Sequence, residues 1–89
     1  MIWRVEFDNA ALKDLKRLGH AAQRRIVRYL HERIAIEENP RRLGKALHAD
    51  KSGFWRYRVG DYRLICRIED EVLTVLVIAI GHRSSVYKN

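Results

Sequence analysis

Arginines alternate with other residues on both sides of the Gly-Asp dipeptide at positions 60–61. A two-residue loop with glycine first is typical of a type II′ turn, and such a loop sets the register of a β-hairpin. Val59 then faces Tyr62, and Arg58 lies opposite Arg63. The hairpin therefore has an apolar face and a basic face, and we call the basic one the arginine face: Arg56, Arg58, Arg63 and Arg67.

Like charges directly across a strand pair are unfavourable, by roughly 0.2–1 kcal/mol, unless an anion lies between them. No acidic residue alternates with these arginines, because Asp61 lies in the turn and the next acids are residues 69–71. Guanidinium groups match phosphate oxygens in planar, bidentate geometry. The arginine face thus predicts a site for a phosphate-bearing ligand. The alternative is a basic surface screened by solvent or by carboxylates from elsewhere in the fold.

Further reactive side chains follow the last apolar segment, in a tail that begins at Gly81. Histidine readily exchanges protons near neutral pH, so His82 is a candidate general acid or base. Arg83 adds a cation, and the ring of Tyr87 can stack on a base or move a proton. Taken alone, His82 is more commonly interpreted as a surface residue and Tyr87 as a packing residue. The neighbouring arginine face favours a functional role for both.

The other chemistry-bearing residues predict no metal or nucleotide site. The four histidines have no metal-ligand spacing to one another or to the single cysteine, and no glycine-rich phosphate loop occurs. Cys66 falls on the apolar face of the hairpin, where a thiol is more often inert than nucleophilic. We expect neither a metal ion nor a cofactor.

Composition narrows the class of partner. The 89 residues predict a single domain spanning 1–89, with a net charge of +7 and a pI near 10.1. Nucleic acid is the first candidate partner for so basic a chain. The longest apolar run is too short to cross a membrane, and no signal-peptide pattern begins the sequence. We therefore expect a cytoplasmic protein that has no membrane partner.

Two helices and four strands are predicted to position these residues. Alternation over 2–7 predicts a strand, and apolar residues at helical spacing predict helices over about 8–19 and 21–39. Three further strands are predicted at 54–59, 62–69 and 72–80. The expected fold class is α+β: two N-terminal helices packed on one face of a small, mainly antiparallel four-stranded sheet, in the order βααβββ.

The register of the last strand stays open. A two-residue loop at 70–71 places every second residue from Leu73 to Ala79 with the core and leaves Leu76 and Ile78 on the arginine face. A longer loop or a β-bulge exchanges the two sets. Both sets are apolar enough to be buried, so hydrophobicity does not decide between them.

The sequence resembles the RelE/ParE superfamily of bacterial toxins over nearly its whole length. The resemblance is carried by the opening strand and F-D-N-A-A-L-K-D-L-K-R-L-G, by the hairpin W-R-Y-R-V-G-D-Y-R-L-I, and by the final I-G-H-R-S-S-V-Y. The tail is more similar to the RelE branch, whose members cleave messenger RNA in the ribosomal A site, than to the ParE branch, whose members poison DNA gyrase. The resemblance thus implies a toxin of a type II toxin–antitoxin system that is a ribosome-dependent endoribonuclease.

The resemblance also implies site residues and a reaction. In that reaction, a ribose 2′-OH attacks the adjacent phosphate without a metal. The positions that match the RelE pattern are Arg56, Arg58, Arg63, Arg83 and Tyr87. We expect Arg58, Arg63 and Arg83 to stabilise the scissile phosphate, with Tyr87 and His82 as further catalytic residues. The expected RNA-binding residues are Arg56, Arg67 and Lys88.

The implied partners are the 70S ribosome with its messenger RNA and an acidic, RelB-like antitoxin in a hetero-oligomer. A positive chain suits the antitoxin as well as it suits RNA. Two alternatives stay open. One is a ParE-like gyrase inhibitor without nuclease activity, and the other is a simple nucleic-acid-binding module in which no single arginine dominates.

Overall fold

A computed structural model describes residues 2–47 and 53–82 of the chain. Its helices are α1 (Asn9–Lys16) and α2 (His20–Tyr29), and α2 continues into a π-helical turn (Leu30–Ile34). Its strands are β1 (Arg4–Phe7), β2 (Lys45–Ala46), β3 (Phe54–Val59), β4 (Tyr62–Glu69) and β5 (Thr74–His82). Short 3-10 turns cover Pro40–Arg42 and Asp70–Val72. Within the described ranges, no helix is long and apolar enough to cross a membrane.

The strands form one sheet in the order β1-β5-β4-β3-β2. The pair β1 and β5 is parallel, and the other three pairs are antiparallel. The predicted α+β class is confirmed, and the four predicted strands are all present. The sheet has one strand more than predicted, because the two-residue strand β2 is too short to show any periodicity in the sequence.

The first helix begins where its sequence predicts, but it ends at Lys16 rather than near residue 19, and Gly19 is instead the N-cap residue of α2. The Asp8 carboxylate accepts a hydrogen bond from the Ala11 backbone N–H at 2.9 Å, which satisfies one of the free donors of the first turn. Ala11 and Leu15 lie one turn apart and are buried against the sheet. Two lysines in the last turn complement the helix dipole.

The second helical segment is shorter than predicted, since it ends at Ile34 rather than near residue 39. Leu30 and Ile34 are fully buried in its π-helical turn. Beyond the turn, the Ala35 carbonyl accepts hydrogen bonds from the backbone N–H groups of Ile2 and Trp3, and the Trp3 indole donates to the Glu38 carbonyl at 3.2 Å. These contacts with the start of the chain end the helix, and local sequence does not reveal them.

The core lies between the helices and one face of the sheet. The predicted apolar face of the hairpin is confirmed, because all seven of its members belong to the core cluster or pack against it: Trp55, Tyr57, Val59, Tyr62, Leu64, Cys66 and Ile68. The arginine face therefore points away from α1 and α2.

The open register of the last strand is settled by a β-bulge. The turn after β4 spans Asp70–Val72 and ends at Leu73, whose φ of +48° lies in the left-handed region. Val75 and Val77 then face the core, but Cys66 pairs with Val77 while Ile65 pairs with Ala79, so Ile78 is the extra residue. The bulge reverses the alternation, and Ile80 rather than Ala79 enters the core.

Candidate functional site

The tip of the hairpin brings Arg58 and Arg63 together. The two residues pair directly across β3 and β4, next to the turn pair Val59 and Tyr62. Gly60 has a φ of +59° and Asp61 is not among the positive-φ residues, as a type II′ turn requires. The predicted register is therefore confirmed residue by residue, and it places both guanidinium groups on the face without helices.

A pocket of about 220 Å³ opens on the arginine face. We call it the basic pocket, and its lining residues are Gly44, Lys45, Arg56, Tyr57, Arg58 and Arg63. The lining includes four cationic side chains, and none of the described lining residues is acidic. A pocket of this volume is large enough to admit a phosphate group. Such a cluster of donors can bind a phosphate and stabilise negative charge that develops on it.

Strand β2 completes the pocket by bringing Lys45 beside Arg56, its pairing partner. Gly44 makes this approach possible. A Cβ at Gly44 would lie 2.2 Å from the Arg56 carbonyl oxygen and 2.8 Å from Cδ1 of Tyr57, and the glycine has a φ of +75°. Only glycine fits such a position without moving the backbone.

Two aromatic side chains of β3 hold the segment that leads to β2. The Trp55 indole N–H donates to the Leu43 carbonyl at 2.6 Å, and the Tyr57 hydroxyl donates to the Pro40 carbonyl at 2.8 Å. Burial raises the pKa of Tyr57, so its hydroxyl stays protonated and remains a donor. Both hydrogen bonds lie on the side of the sheet opposite the arginine face, and they hold the backbone segment that precedes Lys45.

Sequence reasoning missed Gly44 and Lys45, because their segment shows neither a helical nor a strand period. The available signal was a glycine directly before a lysine, a short distance ahead of the arginine-bearing strand. That signal is weak, since the segment that leads to β2 is held by hydrogen bonds from Trp55 and Tyr57 that only the folded chain forms.

Arg67 shares the arginine face but does not line the basic pocket. It lies four residues from Arg63 along β4, which corresponds to about 13 Å of strand. Its guanidinium lies over the ring of its partner Phe54, 5.7 Å from the ring centroid. Arg67 is therefore placed to contact a ligand that extends beyond the pocket, rather than the group bound inside it.

His82 lies on the other side of the sheet from the basic pocket. It pairs with Tyr62, a member of the helix-facing set, and the two rings meet edge to face at 6.0 Å. Gly81 is the residue that pairs with Arg63. The structure thus does not bring the predicted acid or base together with the arginines. Arg83, Tyr87 and Lys88 lie outside the described residues.

The single cysteine takes no part in this site. Cys66 is fully buried in the core, and burial raises the pKa of its thiol, so the reactive thiolate is disfavoured. Arginine is in effect never deprotonated in proteins. The described part of the site therefore supplies positive charge and hydrogen-bond donors, and its arginines are not proton-transfer groups.

Comparisons with known proteins identify the family. The sequence model of a family described as the ParE toxin of type II toxin–antitoxin systems matches residues 5–87. The toxin RelG of Mycobacterium tuberculosis is 33% identical over 88 residues, which cover 99% of both chains. This chain belongs to the RelE/ParE superfamily of toxins. The names of its relatives place the toxin in the RelE branch of that superfamily.

Solved structures agree with this assignment. The toxin is similar to a chain of the RelBE2 toxin–antitoxin complex of M. tuberculosis, with a TM-score of 0.82 and 32% identity over 93% of this chain and 100% of that one. The isolated RelE toxin of Escherichia coli gives a TM-score of 0.71 and 26% identity over 96% of this chain and 90% of that one. The predicted RelE-like fold is confirmed.

Proposed function

We propose that this RelE-branch toxin is a ribosome-dependent endoribonuclease that cleaves messenger RNA in the ribosomal A site. The basic pocket carries the proposal, because four cationic side chains converge there without an acid among the described lining residues. The proposal is also supported by the similarity to the E. coli protein named mRNA interferase toxin RelE, which is 31% identical over 98% of this chain and 92% of that protein.

The proposed reaction is attack of a ribose 2′-OH on the adjacent phosphorus. A bond forms between the 2′ oxygen and phosphorus, and the bond from phosphorus to the 5′ oxygen breaks. The products are a 2′,3′-cyclic phosphate and a 5′-OH, so one proton leaves the nucleophile and one reaches the leaving group. Arg58 and Arg63 would hold the non-bridging oxygens, where charge develops as the new bond forms. Arg83 is the proposed third cation at this phosphate.

Neighbouring cations would hold the rest of the message. We assign Arg56 and Lys45 to the phosphate next to the scissile one, because both line the same pocket as the catalytic pair. Arg67 is assigned to RNA beyond the pocket, about 13 Å along β4. Lys88 is assigned to flanking RNA on the resemblance alone.

Proton transfer is assigned first to Tyr87, which also supplies a ring on which a base can stack. His82 keeps the second place because its imidazole lies on the helix side of the sheet, against Tyr62. This arrangement supports the proposed dependence on the ribosome. The described pocket supplies charge stabilisation, and a ribosome that holds the message in a reactive geometry would supply the positioning.

We also propose an acidic, RelB-like antitoxin as the physiological partner in a toxin–antitoxin hetero-oligomer. The net charge of +7 suits such a partner. Two of the similar structures, from M. tuberculosis and Pyrococcus horikoshii, are complexes of RelE-type toxins with their antitoxins. Leu76 and Ile78 are half-buried apolar residues of β5, and an antitoxin segment on that strand would cover them.

A reconstituted translation assay tests the function. Messenger breaks are mapped by primer extension after incubation of purified toxin with and without ribosomes. We expect breaks at the A-site codon only in the presence of ribosomes. Intact messenger under both conditions would overturn the proposal and favour gyrase, the ParE-type target that the family match also suggests. A supercoiling assay on the same preparation would then decide.

A further inference from the structure

A second basic surface lies on α2, across the sheet from the basic pocket. We call it the helical arginine strip, and it consists of Arg24, Arg25 and Arg28. All three side chains are exposed. Arg24 and Arg28 lie one helical turn apart and share a face, with Arg25 beside them. No carboxylate in the described part of the chain forms an ion pair with any of the three.

The strip is locally unfavourable for the folded protein. Like charges four residues apart destabilise a helix, and α2 contains no acidic residue to offset them. The nearest acid on the following turn, Glu32, forms no ion pair with Arg28 in the described structure. An arrangement that breaks a local rule without compensation inside the fold is expected where a ligand supplies the compensation.

The strip connects with the basic pocket at the hairpin turn. The guanidinium of Arg25 lies against Gly60, so closely that a Cβ there would be 2.6 Å from its Nη2 atom. Arg58 and Arg63 flank the same turn on the other face of the sheet. Positive charge therefore continues from the pocket around the hairpin tip to α2, interrupted only by Asp61 among the turn residues.

We infer that the helical arginine strip binds the backbone of double-stranded ribosomal RNA while the basic pocket holds the messenger. This inference rests on the proposed function and adds a second RNA contact to it. Guanidinium groups favour phosphate. Single-stranded RNA is bound largely by stacking on aromatic rings, and between residues 20 and 33 no tyrosine, tryptophan or phenylalanine is exposed, since Tyr29 packs against Tyr57. A rigid row of cations suits the phosphates of a duplex.

The position of the strip also separates it from the messenger. A strand bound in the basic pocket lies on the opposite face of the sheet from α2, and it would have to bend around the hairpin tip to reach Arg28. A protein that binds in a cleft between RNA segments contacts phosphates on both of its faces. The basic pocket on one face of the sheet and the helical arginine strip on the other would allow such contacts.

The test compares two double variants with equal loss of charge. Arg24→Gln/Arg28→Gln removes two of the three arginines of the strip, and Lys13→Gln/Lys16→Gln removes two exposed lysines from α1. Glutamine is a good helix former, so neither change should unfold its helix. Affinities of the full-length toxin for 70S ribosomes, a 20-base-pair RNA duplex, a 20-nucleotide poly(U) strand and polyglutamate are measured over a range of salt concentrations.

We expect the strip variant to bind ribosomes and the duplex about tenfold or more weakly. Its plot of log affinity against log salt should lose about two units of slope, because two phosphate contacts are removed. The α1 variant should keep the wild-type affinity, and Arg24→Lys/Arg28→Lys should recover most of it. Circular dichroism establishes that each variant is folded.

Several outcomes would overturn the inference. Equal losses in the two glutamine variants would show that net charge alone sets the affinity. A loss on poly(U) but not on the duplex would assign the strip to the messenger, and a loss on polyglutamate alone would assign it to an acidic protein. These are binding measurements, so a toxin that binds ribosomes through the strip but cuts no message contradicts the proposed nuclease activity and leaves this inference standing.

Discussion

Gly44→Ala is the perturbation that most directly probes how the fold builds the basic pocket. An alanine there must adopt a φ of +75°, which costs about 1–2 kcal/mol. Its Cβ must also avoid the Arg56 carbonyl oxygen, which would be only 2.2 Å away. That oxygen belongs to the backbone of β3 and cannot yield as a flexible side chain would. Strand β2 must therefore move away, taking Lys45 with it.

The expected loss of stability is limited by what holds β2 in place. The hydrogen bonds from Trp55 to Leu43 and from Tyr57 to Pro40 each contribute about 0.5–1.5 kcal/mol. We expect the free energy of unfolding to fall by about 2–3 kcal/mol, which for a domain of this size lowers Tm by about 10–20 °C. Loss of the charged contact from Lys45 should reduce kcat/KM for messenger cleavage by about 10–100-fold.

Gly53→Ala is the matched control. Gly53 has a φ of +87°, but nothing lies within 4 Å of the position that a Cβ would occupy. This variant should therefore show the backbone cost alone, about 1–2 kcal/mol in urea unfolding, with normal cleavage. Lys45→Ala distinguishes the effect of the lysine side chain from the effect of moving β2. This variant should lose messenger cleavage while its Tm stays at the wild-type value. If Gly44→Ala matched Gly53→Ala in both Tm and cleavage, the close approach of β2 would not be needed and our account of the pocket would be refuted.

Three further predictions concern individual side chains. Arg58→Ala and Arg63→Ala should each lower cleavage by about 10²–10³-fold, as expected for donors to a developing charge. Arg58→Ala should leave the free energy of unfolding unchanged or raised by up to roughly 1 kcal/mol, because cross-strand repulsion is relieved. A parallel fall in stability and activity would contradict this. Asp70 forms an exposed bidentate ion pair with Arg41, which lowers the pKa of Asp70 below its ordinary value. The pair stabilises the folded protein by about 0.2–1 kcal/mol. This stabilisation is fully present above the pKa that Asp70 has in the unfolded chain, and it is lost as the pH falls through the lower pKa that Asp70 has in the folded protein. The Tm difference between the wild type and Asp70→Asn should accordingly vanish in acid, and a difference that persists there would exclude this cause. Arg83→Ala and Tyr87→Ala should largely abolish cleavage with normal folding, and full toxicity of both variants in cells would remove them from the site.

The elements that could be predicted from the sequence are those whose signals are local. Asp8 caps a helix whose buried residues repeat at 3.6-residue spacing, and a two-residue turn sets the partners of every residue in the hairpin. The pairing of Arg58 with Arg63 belongs to this class. The two arginines lie together because apolar and basic residues alternate along both strands and because the turn has glycine in its first position. The centre of the candidate site could therefore be predicted without a structure.

Other features depend on contacts between distant parts of the chain. The second helix ends at Ile34 because the start of the chain binds Ala35, and no residue within the helix signals that end. The bulge at Ile78 decides on which side of the sheet the following residues fall. Continued alternation from Val75 and Val77 would have placed His82 on the arginine face, and the bulge placed it beside Tyr62 instead.

By itself, the sequence determined the arginine face, since a tight turn and a period of two are properties of neighbouring residues. It also determined the family, because the matching motifs are spread along the chain. Only the tertiary structure decided that Gly44 and Lys45 complete the basic pocket. Their positions depend on hydrogen bonds from Trp55 and Tyr57 and on a backbone approach that no local pattern encodes. A pocket is built from segments that meet only in the folded state, so the residues that distant segments contribute to it can be identified only from the tertiary structure.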